Sequence, residues 1–429
     1  MHTLIFANPA HFHAALTLRE ADPRLSEDIH IYAEGGPELE AFLALVEAFN
    51  TRAENPTRWK PHVHAGPDWF ERLVAERKGD IAVLACKNDR KMRDIRTLRE
   101  AGFNVLADKP WVLGEADIAH LHAAMHAVAG GPPLVMDIMT ERYEVTLVLL
   151  RALLASAEVF GGFRSGGGDT PALEVETTHQ LYKTVNEQVL VRYPWYFDVR
   201  VQGDGIVDIP THLVDQVQWL LGDNAYDYDR DVELLWAKRW NTDMDGEAYE
   251  RITRTAPFPD SLAPFLSGGV LGYPCNGAIG YRLRGVPVRV QSVWGLTTEP
   301  TADDYRIACR GERADIVLEH GAHADSGRRL VVSLHGKDKQ VAASTLAGLG
   351  RLLLDWQKDF PGTALAERKD GWEIVVPPGL LIGHEEHFAL VLDQFMGYLE
   401  QGAWPEHLVP NIVTKYTLLA KASALAGAL

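Results

Sequence analysis

Strand and helix patterns alternate through the first 140 residues, and this alternation constrains the fold more than any other feature. Six strands are predicted at 3–7, 29–33, 62–65, 81–86, 104–107 and 134–138, and the nearly all-apolar run at 81–86 is typical of a strand covered on both faces. Segments with helical spacing separate them; the one that begins at Pro37 places Leu39, Phe42 and Val46 on one side. Repeated units of this length predict a parallel sheet wound on both faces. Ligands of such sheets bind at the carboxyl ends of the strands.

The later part of the chain has a different pattern. A chain of 429 residues is too long for one ordinary core, so two domains are expected, at 1–140 and 141–429. Short alternating strands separated by turns are predicted at 280–283, 286–294, 305–310 and 314–319. Helices are predicted at 385–400 and 411–426. The sequence therefore predicts an α/β protein whose second domain is rich in sheet.

Composition narrows the class of protein. Hydrophobic residues make up 46% and charged residues 24%, as in a globular protein without membrane-spanning segments. The formal net charge of −17 argues against nucleic acids and anionic membranes as general partners. The N-terminus carries no signal-peptide pattern, so we expect a cytoplasmic protein. Cys86, Cys275 and Cys309 lack metal or redox spacing, and no metal site is predicted.

The turn after the first predicted strand is unusual. It reads Ala7-Asn8-Pro9-Ala10-His11-Phe12-His13, without the glycines of a dinucleotide-binding turn. A tight turn remains feasible because Asn8 tolerates positive φ and Ala10 is small. The helix start that follows is expected to offer free N–H groups to a phosphate. Glu34 ends the second strand, where an acidic residue holds a ribose 2′-hydroxyl in NAD-binding domains. A Rossmann-like domain that binds another ligand remains an alternative.

Two further motifs carry chemistry. Asp108-Lys109-Pro110 follows the fifth strand directly, so Lys109 is expected at the edge of the sheet where ligands bind. In the second motif, Asp208 precedes His212 by four residues and Asp215 follows it by three. On a helix that spacing places all three on one face, and Pro210 requires the helix to begin there. A carboxylate that orients an imidazole is a recurrent acid/base device; the alternative is a surface helix with ordinary charges.

Several polar residues are candidates for a substrate pocket. Glu141 and Arg142 follow the sixth strand, at the ligand-binding edge of the sheet. Lys183, Arg192 and Trp195 precede the central helix and suit a hydroxyl-rich or anionic ligand. The alternative for Trp195 is a place in the core. His384 and His387 are three apart, which is not the spacing of a zinc-protease helix.

Together, Asp108-Lys109-Pro110 and the Gly-rich D-x-P-x-H-x-x-D helix resemble the glucose–fructose oxidoreductase / inositol dehydrogenase family. That family shows [DE]-K-P after the fifth strand and G-G-G-x-x-x-D-x-G-x-H-x-x-D in its second domain. Here Pro210 replaces a glycine and Asp204 replaces the middle glycine of the run. The first turn is similar to a branch with P-G-H-F-H-A-A-L, with Ala10 in place of glycine. Segments 49–57, 137–144, 195–198 and 383–388 extend the resemblance over nearly the whole chain.

The resemblance implies a Rossmann domain followed by an α/β domain with an open, mostly antiparallel sheet. It implies NAD or NADP as cofactor, with NAD preferred because of Glu34, and oxidation or reduction of a carbinol on a sugar, polyol or related carbohydrate. The implied catalytic residues are Lys109, Asp208 and His212, and Asp215 matches the trailing acid. The residues assigned to the cofactor are Asn8, Ala10, His11, Phe12, Glu34, Asn88, Lys109 and Pro110. Relatives commonly bury the open sheet against another subunit, so a homodimer or homotetramer is expected.

Other functions stay open. Some relatives retain NAD and cleave or epimerise glycosides through a transient ketone, which the same residues would serve. A non-catalytic Rossmann sensor that lost its nucleotide affinity with its glycines is another alternative. The joint presence of Lys109, Asp208 and His212 favours an enzyme.

Overall fold

The computed structural model describes residues 1–164, 170–185, 188–321, 327–336 and 338–427. The chain forms two compact units, one of Met1–Glu141 with Ile382–Thr417 and one of Arg142–Leu381 with Leu418–Leu429. The first unit contains a six-stranded, all-parallel sheet. Its strands are β1 (Leu4–Ala7), β2 (Asp28–Ala33), β3 (Lys60–Ala65), β4 (Ile81–Leu84), β5 (Asn104–Ala107) and β6 (Val135–Asp137).

The strand order is β3-β2-β1-β4-β5-β6, which is the Rossmann order. The chain reverses direction across the sheet between the central strands β1 and β4, and both are fully buried. This confirms the predicted doubly wound sheet, and all six strands lie where the sequence predicts them. The helices of this part are α1 (His13–Leu16), α2 (Pro37–Thr51), α3 (Trp69–Glu76), α4 (Lys91–Glu100) and α5 (Ile118–Ala129).

The end of the chain returns to the first unit through residues 382–417. This segment contains α12 (His387–Gln401) and the start of α13 (Leu408–Leu425). Lys415 Nζ lies 2.7 Å from Asp137 Oδ2, with both side chains buried, and the Tyr416 hydroxyl donates to the same carboxylate oxygen at 3.2 Å. The Tyr416 ring stacks on Trp111. Side chains of α13 thus cover the carboxyl end of β6.

The second unit contains a ten-stranded sheet in which β7 and β13 pair in parallel and the other neighbours are antiparallel. Its order is β10-β12-β13-β7-β14-β15-β16-β18-β17, and β11 pairs with β12. The strands of this sheet are β7 (Leu173–Gln180), β10 (Val232–Met244), β11 (Leu266–Ser267), β12 (Val270–Leu283), β13 (Val286–Gly295), β14 (Asp304–Arg310), β15 (Ala314–Gly321), β16 (Gly327–Leu334), β17 (Ala364–Arg368) and β18 (Gly371–Val375). Two further strands, β8 (Thr184–Val185) and β9 (Gln188–Val189), pair only with each other. The mostly antiparallel sheet is as expected.

Helices pack on this sheet, and α8 lies against β7 and β13. The helices of the unit are α6 (Val145–Ala155), α7 (Val199–Gln202), α8 (Pro210–Leu220), α9 (Tyr228–Asp231), α10 (Gly246–Thr253) and α11 (Lys339–Asp359). The long strand β10 was not predicted. Its pairing with β12 is shifted between Leu234 and Trp236 and again between Trp240 and Thr242. Bulges of this kind break the two-residue alternation on which strand prediction depends.

The cysteines are part of the core. All three are buried and free of disulfides, and burial raises the pKa of the Cys86 thiol to about 11 and that of Cys275 to about 12. Thiols with such raised pKa values are unreactive, which agrees with their scattered spacing. Among the helices that the structure describes, none is both long and apolar enough to cross a bilayer.

Candidate functional site

The first strand-to-helix turn folds tightly without glycine. Asn8 adopts φ of 45°, as its amide side chain allows. Its main-chain N–H donates to the Tyr32 carbonyl at 2.7 Å, and its Oδ1 accepts the N–H of Glu34 at 3.2 Å. Asn8 therefore holds the ends of β1 and β2 together and places Glu34 beside the turn, with the Glu34 side chain exposed.

Two N–H groups of this turn are already hydrogen-bonded before the helix begins. Ala10 and His11 both donate their N–H groups to the Ala85 carbonyl, at 3.1 and 3.0 Å. The chain crosses the end of β4 closely enough for this because Ala10 has a small, buried side chain. The helix that follows has only four residues. Asn88, beyond β4, is buried and accepts the Lys91 N–H on its main-chain oxygen.

Asp108 fixes the turn that carries Lys109. Its N–H donates to the Leu84 carbonyl at 2.7 Å, and its Oδ1 accepts the Lys109 N–H at 3.0 Å. Its main-chain oxygen accepts the buried Lys91 ammonium at 2.9 Å. The turn continues through a cis Lys109–Pro110 peptide. Lys109 thus follows β5 at the carboxyl edge of the sheet on a well-anchored backbone.

Two histidines from the first turn meet the other oxygen of this carboxylate. His13 Nδ1 lies 2.9 Å from Asp108 Oδ2 and His11 Nδ1 lies 3.6 Å from it. Burial alone would raise the pKa of Asp108, but the charge of His13 and its hydrogen bond outweigh burial and hold the pKa well below its ordinary value. Burial, with His13 next in effect, lowers the pKa of His11 well below its ordinary value. At neutral pH the carboxylate is therefore ionised and the His11 ring is neutral.

Glu141 lies near His384, which comes from the C-terminal segment of the first unit. His384 Nδ1 is 3.5 Å from Glu141 Oε1 and 3.4 Å from the Thr140 hydroxyl. The His384 ring is also 5.7 Å from the His13 ring, measured between centroids. The structure therefore brings a predicted substrate residue and the His384 loop towards the cluster around Asp108.

In the second unit, a compact turn leads into α8. Gly203 adopts φ of 105°, and the Asp204 carboxylate accepts the N–H groups of Ile206 and Val207 at 2.7 and 3.2 Å. Gly205 leaves no room for a side chain, since a Cβ there would lie 2.2 Å from the main-chain carbon of Asn276. The turn is thus pressed directly onto β12, and the Asp208 N–H closes it by donating to the Asp204 carbonyl at 3.0 Å.

The helix begins at Pro210, as the sequence predicts. His212 and Asp215 are helical, but Asp208 lies two residues before the first helical residue, so the expectation of one helix face for all three is wrong. Because Pro210 has no N–H to donate to a preceding turn, the helix does not extend back to Asp208, which lies just before its N-terminus. Asp208 is buried, whereas His212 is half-buried with its Nδ1 in the interior.

Asp208 faces an aromatic cluster. Burial raises the pKa of the Tyr196 and Tyr273 hydroxyls above their ordinary values, and the negative charge of Asp208 contributes in both cases. The Tyr273 hydroxyl donates to the Tyr196 carbonyl at 3.1 Å. The carboxylate thus lies in a largely apolar environment, where its charge acts strongly on nearby groups.

Arg142 and Asp215, both predicted substrate residues, bind each other. Arg142 Nε and Nη2 donate to the two oxygens of Asp215 at 2.6 and 2.9 Å. The third nitrogen of the Arg142 guanidinium, Nη1, donates to Asp223 Oδ2 at 3.0 Å. The Asp215 side chain is 3% exposed. This network fixes the positions of both side chains and keeps Asp215 in the interior.

Arg192 is enclosed by the core. Its Nε and Nη2 donate to the carbonyls of Leu181 and Gln180 at 3.0 and 3.1 Å. Its guanidinium lies 4.5 Å from the centre of the Tyr196 ring and 5.0 Å from that of Trp294. Trp195 is partly buried and packs against the same aromatic core. The cation–π contacts show that Arg192 stabilises the core next to Asp208.

Lys183 pairs with a residue that sequence reasoning missed. Its ammonium lies 2.5 Å from Asp303 Oδ2. Burial alone would raise the pKa of Asp303, but His179 and Lys183 outweigh it and lower the pKa. The His179 ring contacts Trp294 edge-on. Asp303 carries no motif and is 120 residues from Lys183, so no local sequence signal could have identified the pair.

The comparisons with known proteins agree with this architecture. Residues 149–427 match the family described as "Putative oxidoreductase C terminal domain". A solved "putative oxidoreductase" from Parabacteroides merdae is similar to this chain at 36% identity and a TM-score of 0.94, covering 99% of this chain and 97% of that chain. No curated protein matches significantly.

More distant structures share the fold. A levoglucosan dehydrogenase solved with NADH and levoglucosan has 13% identity and a TM-score of 0.57, covering 99% of this chain and 97% of that chain. A 3-ketoreductase from Actinomadura kijaniata solved with NADP has 13% identity, the same TM-score of 0.57 and the same coverage of 99% and 97%. At this identity the likeness establishes the fold alone.

Proposed function

Because the chain belongs to the oxidoreductase family whose C-terminal domain model it matches, we propose that it is an NAD(P)-dependent oxidoreductase of a carbohydrate. Its substrate is a sugar, polyol or related compound that is oxidised or reduced at a carbinol carbon. The observation that carries the proposal is the parallel sheet of the first unit in Rossmann order, with Lys109 directly after β5. A levoglucosan dehydrogenase and a 3-ketoreductase among the similar folds support the substrate class.

The first unit fits a dinucleotide in most respects. The turn after β1 lies at the point where strand order reverses, which is where such sheets bind ligands. Asn8 supplies the positive φ of the missing glycine, and Ala10 keeps the turn narrow. Asn8, Ala10, His11, Phe12 and Glu34 would hold the cofactor from one side, with Asn88, Lys109 and Pro110 at the ends of the neighbouring strands. When bound, the nicotinamide supplies the hydride acceptor or donor.

The proton chemistry is assigned to the second unit. His212 would take the hydroxyl proton at Nε2, because its Nδ1 is buried. Asp208, buried beside an apolar cluster, would stabilise the imidazolium that forms. Lys109 would donate a hydrogen bond and stabilise negative charge on the substrate oxygen. Lys183 and Trp195 would bind substrate hydroxyl groups and an apolar sugar face, with Glu141 as a further contact.

The proposal is tested first by looking for a nicotinamide cofactor in the purified protein, by absorbance and mass spectrometry. The protein is then mixed with sugars and polyols in the presence of NAD or NADP, and the reduction of the nicotinamide is followed. Turnover of at least one carbohydrate is expected. Failure to bind either nucleotide would contradict the proposal, and a cofactor that co-purifies and never exchanges would indicate the cofactor-retaining alternative.

We predict that the protein prefers NAD to NADP. The exposed carboxylate of Glu34 follows β2, where it would accept the ribose hydroxyl of NAD and repel the 2′-phosphate of NADP. Like charges about 4 Å apart cost about 1 kcal/mol in bulk water and about 4 kcal/mol near a protein surface, so NAD should bind at least about fivefold tighter. Glu34→Arg should narrow or reverse this ratio in titrations of both nucleotides. Glu40→Arg, an exposed change on α2, is the control; tighter NADP binding by the wild type would refute the assignment.

We also predict a homodimer or homotetramer. Three apolar side chains of the edge strand β10 are exposed: Leu235 (46%), Trp236 (38%) and Trp240 (38%). Clustered exposed apolar residues of this kind mark association surfaces. Light scattering at micromolar concentration should give a multiple of the 47.6 kDa chain mass, and Trp236→Glu with Trp240→Glu should shift it towards the monomer. Leu354→Glu, at an exposed position on α11, should leave the mass unchanged.

A further inference from the structure

Three potential metal-ligating atoms converge at the edge of the first sheet. They belong to His11, His13 and Asp108 and all lie within 4.8 Å of one another. Two of the separations are 2.9 Å, from His13 Nδ1 to Asp108 Oδ2, and 3.6 Å, from His11 Nδ1 to the same oxygen. In a tetrahedral zinc site with ligand bonds of about 2.0 Å, donor atoms lie about 3.3 Å apart. Small side-chain rotations would therefore bring these atoms to ligand spacing.

The supports of the cluster are rigid. Asp108 is held by three hydrogen bonds: its N–H donates to the Leu84 carbonyl, its Oδ1 accepts the Lys109 N–H, and its main-chain oxygen accepts the Lys91 ammonium. His13 is 8% exposed and packs against the rings of Phe12 and Phe388. Donors that are held in place before binding lose little conformational entropy on coordination. His11 is more accessible, with a side chain 26% exposed, and gives an ion a route to the cluster.

We propose that His11, His13 and Asp108 form a binding site for one divalent transition-metal ion of the zinc class. Two imidazoles and one carboxylate are a donor set that suits Zn²⁺, Co²⁺ and Fe²⁺. The ion would take the place of the proton between His13 Nδ1 and Asp108; that proton leaves to solvent, and the ring keeps its proton on Nε2. Three protein donors leave at least one coordination position for an oxygen atom of a bound small molecule.

The surroundings select among ions. Lys91 and Lys109 place positive charge close enough to the cluster to act on His11. Ca²⁺ and Mg²⁺ are held mainly by several carboxylate and carbonyl oxygens, and here the cluster offers one carboxylate, close to the positive charge of Lys91. The positive charge opposes every divalent cation alike, so the two imidazole nitrogens, which suit Zn²⁺ and Co²⁺ and not Ca²⁺ or Mg²⁺, decide which ions bind. We therefore expect Zn²⁺ and Co²⁺ to bind and Ca²⁺ and Mg²⁺ not to compete.

The test is a titration of the full-length, chelator-treated protein with Zn²⁺ and with Co²⁺. One ion per chain with micromolar or tighter affinity is expected, and Co²⁺ should give the visible absorption of nitrogen ligation. Asp108→Asn and His11→Gln should each weaken binding by more than about 100-fold, beyond what loss of an outer-shell contact costs. Circular dichroism of both variants checks that they fold, and His11→Gln, at the more exposed position, is the variant expected to fold normally.

The control is His62→Gln, which removes a surface histidine paired with Asp28 at 2.7 Å and should leave binding unchanged. Sub-stoichiometric binding, equal affinity for Mg²⁺, or affinity lost only in His62→Gln would overturn the proposal. The site does not depend on the proposed redox activity. Nucleotide binding without stoichiometric zinc would overturn the metal site alone, and zinc binding without nucleotide binding would overturn the proposed function alone.

Discussion

Replacement of His212 by alanine is expected to lower turnover of an identified substrate by roughly 10²–10⁴-fold, the usual contribution of general acid–base catalysis. His212 lies in the first turn of α8, half-buried, with Nδ1 directed into the interior. The alanine variant keeps the helix and removes only the group that we assign to the proton. The loss should therefore appear in the rate of nicotinamide reduction in a single turnover, with cofactor affinity unchanged.

Two companion variants separate the proposed roles. Asp208→Asn should reduce the rate by a comparable or smaller factor, because it removes the charge that stabilises the imidazolium and leaves the base in place. Lys109→Met should also reduce the rate. It should in addition weaken cofactor binding, since Lys109 follows β5 in the unit that we assign to the nucleotide.

The control for His212→Ala is His120→Ala. His120 is also a half-buried histidine on a helix, α5, and it is not among the residues assigned to catalysis or binding. Its rate should match the wild type. If His212→Ala keeps a normal rate while Lys109→Met abolishes it, lysine is the base and the roles are reversed. Full activity in all three variants would show that the reaction uses other residues.

The second large effect concerns stability. Arg239→Met is expected to lower the free energy of unfolding by roughly 3–5 kcal/mol, the cost of leaving one member of a buried ion pair without its partner. Arg239 pairs with Asp204, and the two side chains are 6% and 3% exposed. The Asp204 carboxylate also accepts the Ser423 hydroxyl at 2.7 Å, and Arg239 donates to the Gly427 carbonyl.

This network supports the turn that carries Asp208. The Asp204 carboxylate accepts the N–H groups of Ile206 and Val207. Loss of Arg239 leaves this buried carboxylate without its counter-charge, and we therefore expect the turn to be destabilised as well. Urea unfolding gives the free energy, and the rate of nicotinamide reduction reports on the turn. The double variant Asp204→Asn with Arg239→Met should recover part of the stability, because both charges are then gone.

Lys358→Met provides the matched comparison. Lys358 pairs with Asp355 at 3.0 Å, but the side chains are 74% and 72% exposed. Exposed pairs contribute at most about 1 kcal/mol, so unfolding should change little. An Arg239→Met protein as stable as Lys358→Met would show that the Asp204 pair is not a major support of the second unit.

The sheet of the first unit was predictable because buried parallel strands give short apolar runs, and β5 at Asn104–Ala107 matches its predicted bounds. The second sheet was predictable only in part. β13 and most of β15 alternate between buried and partly exposed residues, whereas the bulges in β10 interrupt its two-residue alternation. Charged residues such as Lys238 and Arg239 further interrupt the apolar pattern of that strand.

The residues of the candidate site were likewise predictable only where they belong to a local sequence motif. Lys109 and the pair Asp208 and His212 belong to short motifs whose local spacing predicts a chemical role. The Lys183–Asp303 pair joins residues 120 apart in sequence, and neither residue belongs to such a motif. The His13–Asp108 contact, across 95 residues, required knowing how closely the glycine-free turn crosses the end of β4.

The sequence by itself determined features whose energetics are local. Asn8 adopts positive φ because its own side chain tolerates it, and α8 begins at Pro210 because proline lacks an N–H. Only the tertiary structure decided which distant polar groups share the interior. Tyr416 reaches Asp137 across 279 residues, and Lys415 neutralises the same carboxylate. A buried charge must find a partner somewhere in the fold, but the chain's local pattern does not specify which residue it will be.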